Sequence, residues 1–131
     1  MAKAKVQFWV AVVDDDAGMR EATQALLGSA GYLTYGFQSA EAFLSVAGTR
    51  SGGCLILDMQ LPGINGLQLY GKLRDRAIVV PAILLTADSD DDGQLRARAL
   101  AAGMRAVLHK PFASDLLLDL VQQVLKQHGS N

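Results

Sequence analysis

Five polar residues raise the question of chemistry at once: Asp14, Asp15, Asp58, Thr86 and Lys110 each close or directly follow an apolar run. Three carboxylates gathered in one crevice would repel one another, so such a cluster must hold a cation or retain protons. Clustered oxygen ligands suit Mg²⁺ or Mn²⁺, and Mg²⁺ typically uses one or two carboxylates together with phosphate and water. Lys110 would add a mobile positive charge and Thr86 a hydroxyl donor. A divalent cation, a lysine and a hydroxyl converging on a carboxylate supply the charge neutralisation and orientation that a phosphoryl group needs. The carboxylate can itself be the acceptor, because aspartate forms aspartyl phosphates.

These residues meet only if the intervening elements bring them together. Residues 7–13 are apolar and β-rich, as a strand covered on both faces should be. Met19, Ala22, Leu26, Leu27 and Ala30 form a helical stripe closed by Gly31. Residues 33–37 read as a strand, and Ser39 is placed to cap a short helix carrying Ala42, Phe43 and Val46. Cys54 to Leu57 is a fully apolar strand ending at Asp58, and the loop Pro62-Gly63-Ile64-Asn65-Gly66 opens a helix with Leu67, Tyr70 and Leu73 on one side. Pro81 begins a strand over 82–85 that ends at Thr86, a position where proline is tolerated. A helix over 95–102 ends at Gly103, and Ala106 to Leu108 forms a last strand. Ser114 is expected to cap a final helix whose Leu117, Leu120, Val121, Val124 and Leu125 keep helical spacing.

The order is βα five times over. Alternation of this kind with buried-type strands implies an α/β fold: a doubly wound, five-stranded parallel sheet with helices on both faces. Right-handed crossovers favour the flavodoxin-like strand order 2-1-3-4-5. Ligands then bind at the carboxyl ends of the strands where the winding reverses, between the first and third strands. Asp14 and Asp15 follow the first strand and Asp58 the third. Adjacent strands lie about 5 Å apart.

Val12-Val13-Asp14-Asp15-Asp16, Leu57-Asp58-Met59-Gln60-Leu61-Pro62-Gly63-Ile64-Asn65-Gly66, Thr86-Ala87 and His109-Lys110-Pro111-Phe112 occur in this order along nearly the whole chain. In them the chain resembles the receiver domain of two-component response regulators, above all receivers of transcription regulators with a helix-turn-helix output. The resemblance implies a phosphoryl-accepting signalling domain rather than an enzyme, spanning residues 1–131 with a core over about 6–127. It implies Asp58 as the phosphoryl acceptor, and Mg²⁺, with Mn²⁺ as substitute, held by Asp14, Asp15, Asp58 and the Gln60 backbone carbonyl. Thr86 and Lys110 would each engage a phosphoryl oxygen, and the Lys110–Pro111 bond would be cis. The donor would be a phosphohistidine on a sensor histidine kinase or a phosphotransfer protein. A homodimer would form through the face made by the fourth helix, fifth strand and fifth helix.

Two other readings compete. One is a pseudo-receiver serving only as an interaction module, against which the intact acidic set argues. The other is a phosphohydrolase of the haloacid dehalogenase type, which Asp14-Asp15-Asp16 also resembles. Gly18 departs from the end of that family's first motif, and no acidic pair follows Lys110 at a strand end. Phosphorylation of Asp14 instead of Asp58 would mark the hydrolase. Within the receiver family Val107 is a departure, since an aromatic residue often stands three positions before the lysine. A valine has no ring to swing and is stiff at χ1, so coupling is expected to run through the backbone between the fourth helix and the fifth strand. Gln60 and Asp88 flank the site and are expected to tune the lifetime of the phosphoryl group.

Composition narrows the classes further. The chain has 131 residues, half of them hydrophobic, with 13 acidic and 12 basic residues for a net charge of −1. One ordinary domain fits this length. A generic nucleic-acid binder needs a basic surplus to displace counterions, and none is present. Arg96, Arg98 and Arg105, around the expected output face, read as ordinary surface charge. The lone Cys54 has no partner for a disulfide or metal pair and reads as a small buried hydrophobe. Met1 to Val13 superficially resembles a signal peptide, but Asp14-Asp15-Asp16 stands where small cleavage-site residues belong. No apolar run approaches the ~20 residues of a membrane span. A cytoplasmic protein with no membrane contact is the expectation. Asp88 to Gly93 matches the first half of a calcium loop but has Ala99 where the bidentate Glu belongs. His109 and His128 lack partners at ligand spacing, and Trp9 and Tyr70 read as packing residues.

Overall fold

The periodicities find their partners in a three-layer arrangement. The computed structural model describes residues 7–48, 50–87 and 93–129. Along the chain run β1 (Trp9–Val13), α1 (Ala17–Ser29), β2 (Leu33–Phe37), α2 (Ala40–Leu44), β3 (Gly53–Asp58), α3 (Gly66–Asp75), β4 (Ala82–Thr86), α4 (Gln94–Ala101), β5 (Ala106–His109) and α5 (Ser114–Gly129). All strand pairs are parallel, in the order β2-β1-β3-β4-β5. The expected topology is therefore the observed one. No helix among the described residues is long and apolar enough to cross a membrane.

Successive strand residues point to opposite faces, and this alternation divides the core in two. Ala11, Val13, Leu55, Leu57 and Leu84 pack against Phe43 of α2, Leu69, Tyr70 and Leu73 of α3, and Ala99 of α4. Val10, Val12, Cys54, Ile56, Ile83 and Leu85 pack against Leu27 of α1 and Leu117, Val121, Val124 and Leu125 of α5. The central strands β3 and β4 are buried at every position, which explains why they read as unbroken apolar runs. Cys54 is buried and free, and burial pushes its thiol up to about 12.

Three local expectations need correction. On α1 the fully buried side chains are Thr23 and Leu27, while Ala22 and Ala30 are exposed. The helix lies over the edge of the sheet and needs a narrower apolar stripe than the sequence offers. Val46 falls beyond the end of α2 and is 66% exposed. Ser114 is the first residue of α5 rather than its cap, and the Ala113 carbonyl accepts the N–H groups of Leu116 and Leu117. Ser39 does cap α2, accepting the Ala42 N–H at 3.1 Å.

The β3–α3 connection is held unusually close to the sheet. Asn65 and Gln68 form a reciprocal capping box, each side chain accepting the other's backbone N–H at 2.8 Å. Gly66 then passes so near β3 that an added Cβ would lie 2.6 Å from the Asp58 carbonyl oxygen and 2.8 Å from Leu84 Cδ1. A backbone carbonyl inside a sheet cannot step aside. Gly66→Ala is thus expected to destabilise the chain by about 1–3 kcal/mol, the usual cost of overpacking, and to displace the loop after Asp58. Urea unfolding would measure the loss; an unchanged midpoint would show that the loop shifts freely.

Candidate functional site

Strand ends create the site. β1 and β3 run in register from Trp9 opposite Gly53 to Val13 opposite Leu57, so Asp14 and Asp58 emerge side by side at the carboxyl edge. Asp14 is 1% exposed and Asp58 6%, whereas Asp15 faces solvent. Carboxylate oxygens from all three lie within 4.8 Å of one another, close enough to share one cation. Thr86 ends β4 fully buried, and Lys110 follows β5. Its backbone N–H donates to the Thr86 carbonyl at 2.8 Å. The Lys110–Pro111 peptide is cis, as the resemblance implied.

Buried charge must be compensated, and the loops supply the means. Lys110 Nζ donates to Asp14 Oδ2 and to Asp58 Oδ2, each at 3.2 Å. Asp58 Oδ1 accepts the Gln60 N–H at 3.1 Å, and Asp14 Oδ1 accepts the Asp16 N–H at 3.0 Å. Asp16 also caps α1 by accepting the Met19 N–H. Burial is the main influence on Asp58 and raises its pKa; the Gln60 N–H opposes, the Asp14 charge adds to the rise, and Lys110 opposes. For Lys110, burial is the largest single influence and acts downward. The attraction and hydrogen bonds of Asp58 and Asp14 together outweigh it, so the ammonium titrates above its ordinary range. At neutral pH the lysine is charged and clamps two carboxylates.

The donor set suits a hard cation. Three carboxylates with oxygens this close offer what Mg²⁺ coordinates, and Asp15 adds an exposed ligand at the mouth. Lys110 holds two of these carboxylates and can be displaced by a cation or redirected to an incoming anion. Phosphoryl chemistry asks for this arrangement: a carboxylate nucleophile, fixed positive charge and access for solvent ions.

A protein-family model describing the response regulator receiver domain matches residues 10–122. The chain belongs to this family. Receivers of this family are phosphoaccepting signalling domains that take phosphate from histidine kinases and bind Mg²⁺ in an acidic pocket. The receiver is 33% identical over 116 residues to the transcriptional regulatory protein FixJ of Bradyrhizobium diazoefficiens, covering 88% of this chain and 56% of that protein. With the transcriptional regulatory protein TdiR of Thauera aromatica it shares 36% identity over 116 residues, covering 88% of this chain and 50% of that one. The receiver thus spans about half the length of the curated relatives it matches. The response regulator StyR superposes with a TM-score of 0.86 at 36% identity, over 95% of this chain and 62% of that one. The structure described as FixJ-N gives 0.84 at 28% identity, over 93% of this chain and 96% of that one.

Sequence reasoning missed one contributor to this receiver's site. Arg20, on the first turn of α1, donates from Nη1 to the Asp14 carbonyl at 2.8 Å and steadies the acidic turn. Its only signal was its spacing: a long cation six residues after Asp14 can reach back across one helical turn. His109 is exposed, and Tyr70 packs into the core from α3. Asp88, expected to tune the phosphoryl lifetime, lies outside the described residues, as do the remainder of the calcium-like segment up to Asp92 and the side chain of His128.

Proposed function

We propose that this receiver accepts a phosphoryl group on Asp58, with Mg²⁺ held by Asp14, Asp15, Asp58 and the Gln60 backbone carbonyl. The supporting observation is the clamp of Lys110 on Asp14 and Asp58, which gathers acceptor, ligands and counter-charge at one strand edge. The donor is a phosphohistidine on a sensor histidine kinase or a phosphotransfer protein. An Asp58 carboxylate oxygen attacks phosphorus, the P–N bond breaks, and its electron pair leaves with the imidazole, which takes up a proton. When bound, the cation supplies charge neutralisation to the phosphoryl oxygens. Lys110 turns from the carboxylates to one of those oxygens, and the Thr86 hydroxyl donates to another.

The added group carries about −1.5 to −2 charge and biases two pre-existing states of the α4–β5–α5 face. Val107 is buried with no ring to relay the change, but its carbonyl accepts a hydrogen bond from Arg96 Nη2 at 3.1 Å. That tie from α4 to the β5 backbone supports transmission through the main chain. The switched face would dock a partner or a second copy, and relatives named as transcriptional regulators support transcription as the output. The whole of residues 1–131 acts as one domain with its core over about 6–127, in the cytoplasm. The net charge of −1 supports an output without direct nucleic-acid contact by this domain.

Intact-protein mass spectrometry after incubation with acetyl phosphate tests the reading. One phosphoryl adduct is expected with Mg²⁺ and none after chelation, and peptide mapping should put it on the segment carrying Asp58. An adduct on Asp14 would indicate the hydrolase chemistry instead, and no adduct at all a pseudo-receiver.

A further inference from the structure

We propose that the cavity between α2 and the β1–β2 edge of the sheet is a binding site for a small planar aromatic carboxylate. It shares no residue with the acidic cluster. Strand alternation puts Trp9 of β1 and Tyr35 and Phe37 of β2 on the same side of the sheet, facing Phe43 of α2. α2 ends after five residues, and the chain beyond it carries Ala47, with only a methyl group, and Gly48, with no side chain, which leaves space unfilled. The result is a cavity of about 390 Å³, within the ordinary range for small-molecule sites.

The walls are aromatic and already fixed. Phe37 and Phe43 meet edge to face, with centroids 5.2 Å apart. The Trp9 indole donates from Nε1 to the Ser51 carbonyl at 2.9 Å and lies over Gly53, where any Cβ would overlap its ring. Flat aromatic walls favour a flat aromatic guest through stacking and edge contacts.

Charge selects the guest's other end. Arg50 is the single charged residue among those lining the cavity, and no carboxylate lines it. Its guanidinium stands 5.7 Å from the Tyr35 ring centroid, and Nη1 donates to the Tyr35 hydroxyl at 3.2 Å. Held against an aromatic wall, it makes no ion pair among the described residues. A guanidinium has five N–H donors in a planar fork matched to a carboxylate, and only one of them goes to Tyr35. A ring seated among Trp9, Phe37 and Phe43 would carry its carboxylate to this fork.

The test uses the one tryptophan of the chain. A single indole N–H resonance in the ¹H–¹⁵N spectrum reports on Trp9, and naphthoate and the neutral naphthylmethanol serve as probes. Naphthoate is expected to shift that resonance saturably and to bind about tenfold more tightly than the alcohol, as a charge-assisted pair requires. Arg50→Met, which keeps an apolar stem on an exposed residue, should erase the preference while leaving alcohol binding intact. Ala47→Phe should fill the cavity and abolish both shifts. No saturable shift with naphthoate, equal affinity for the two probes, or a preference that survives Arg50→Met would each overturn the proposal. Phosphoryl uptake can be measured on the same samples, so failure here is distinct from failure at Asp58.

Discussion

An Asp58→Asn variant is expected to take up no phosphoryl group and yet, without Mg²⁺, to unfold at a higher temperature than the parent chain. The loss follows from the proposed role of Asp58 as nucleophile: an amide cannot form the acyl phosphate. The gain follows from electrostatics. Asp58 is held above the ordinary carboxylate range, first by burial and then by the charge on Asp14, against the opposing Gln60 N–H and Lys110. A carboxyl whose folded pKa is raised binds its proton more tightly in the folded state than in the unfolded one. Its contribution to stability therefore falls as pH climbs from the ordinary carboxylate range through the raised value, and the deficit is complete above that. Asparagine carries no charge to desolvate and can still accept from the Gln60 N–H, while Lys110 keeps Asp14 as a partner. A rise of about 3–5 °C is expected at neutral pH for each ~1 kcal/mol relieved. The two melting curves should converge at pH values below the ordinary carboxylate range. A lower melting temperature for the variant at neutral pH would show that the ion pair with Lys110 outweighs the cost of burial.

Lys110→Met should separate cation binding from phosphoryl transfer. Nζ sits 3.2 Å from one oxygen each of Asp14 and Asp58, two of the three carboxylates that would hold Mg²⁺. In the proposed reading the ammonium both holds these carboxylates when no metal is bound and meets the phosphoryl oxygen. Methionine keeps an unbranched stem of similar bulk and removes the charge. Mg²⁺ affinity is expected to rise by about tenfold, on the order of 1.4 kcal/mol, because no competing cation must be displaced. The rate of adduct formation at saturating Mg²⁺ should fall by about 10²–10³-fold, the usual effect of removing one group that stabilises charge in the transition state. Calorimetric titration and a mass-spectrometric time course give the two numbers. If affinity and rate fell together, Lys110 would be organising the acidic pocket rather than competing for it.

How much of this could be read without coordinates varied along the chain. The central strands were legible because β3 and β4 are buried on both faces, which forces every position apolar up to the terminal Asp58 and Thr86. The α1 stripe was misread because a helix over the sheet edge buries only part of its apolar face, and how much is decided by its neighbours. Val46 fits the helical spacing of Ala42 and Phe43, but α2 stops before it. Local spacing does not encode where a helix loses its packing partner.

The site divides in the same way. The sequence by itself determined the strand-end positions of Asp14, Asp58, Thr86 and Lys110, since period and turn chemistry are local properties and the βα alternation leaves few topologies. Their order in the chain was enough to identify the family. Only the tertiary structure decided that Lys110 clamps Asp14 and Asp58 together, across 96 and 52 residues of chain. It alone showed Arg20 bonded to the Asp14 carbonyl, Gly66 pressed against the Asp58 carbonyl, and a cavity left under a short α2. Those features depend on the reach of side chains and on the space between non-adjacent elements, and both are fixed by packing after the chain has closed on itself.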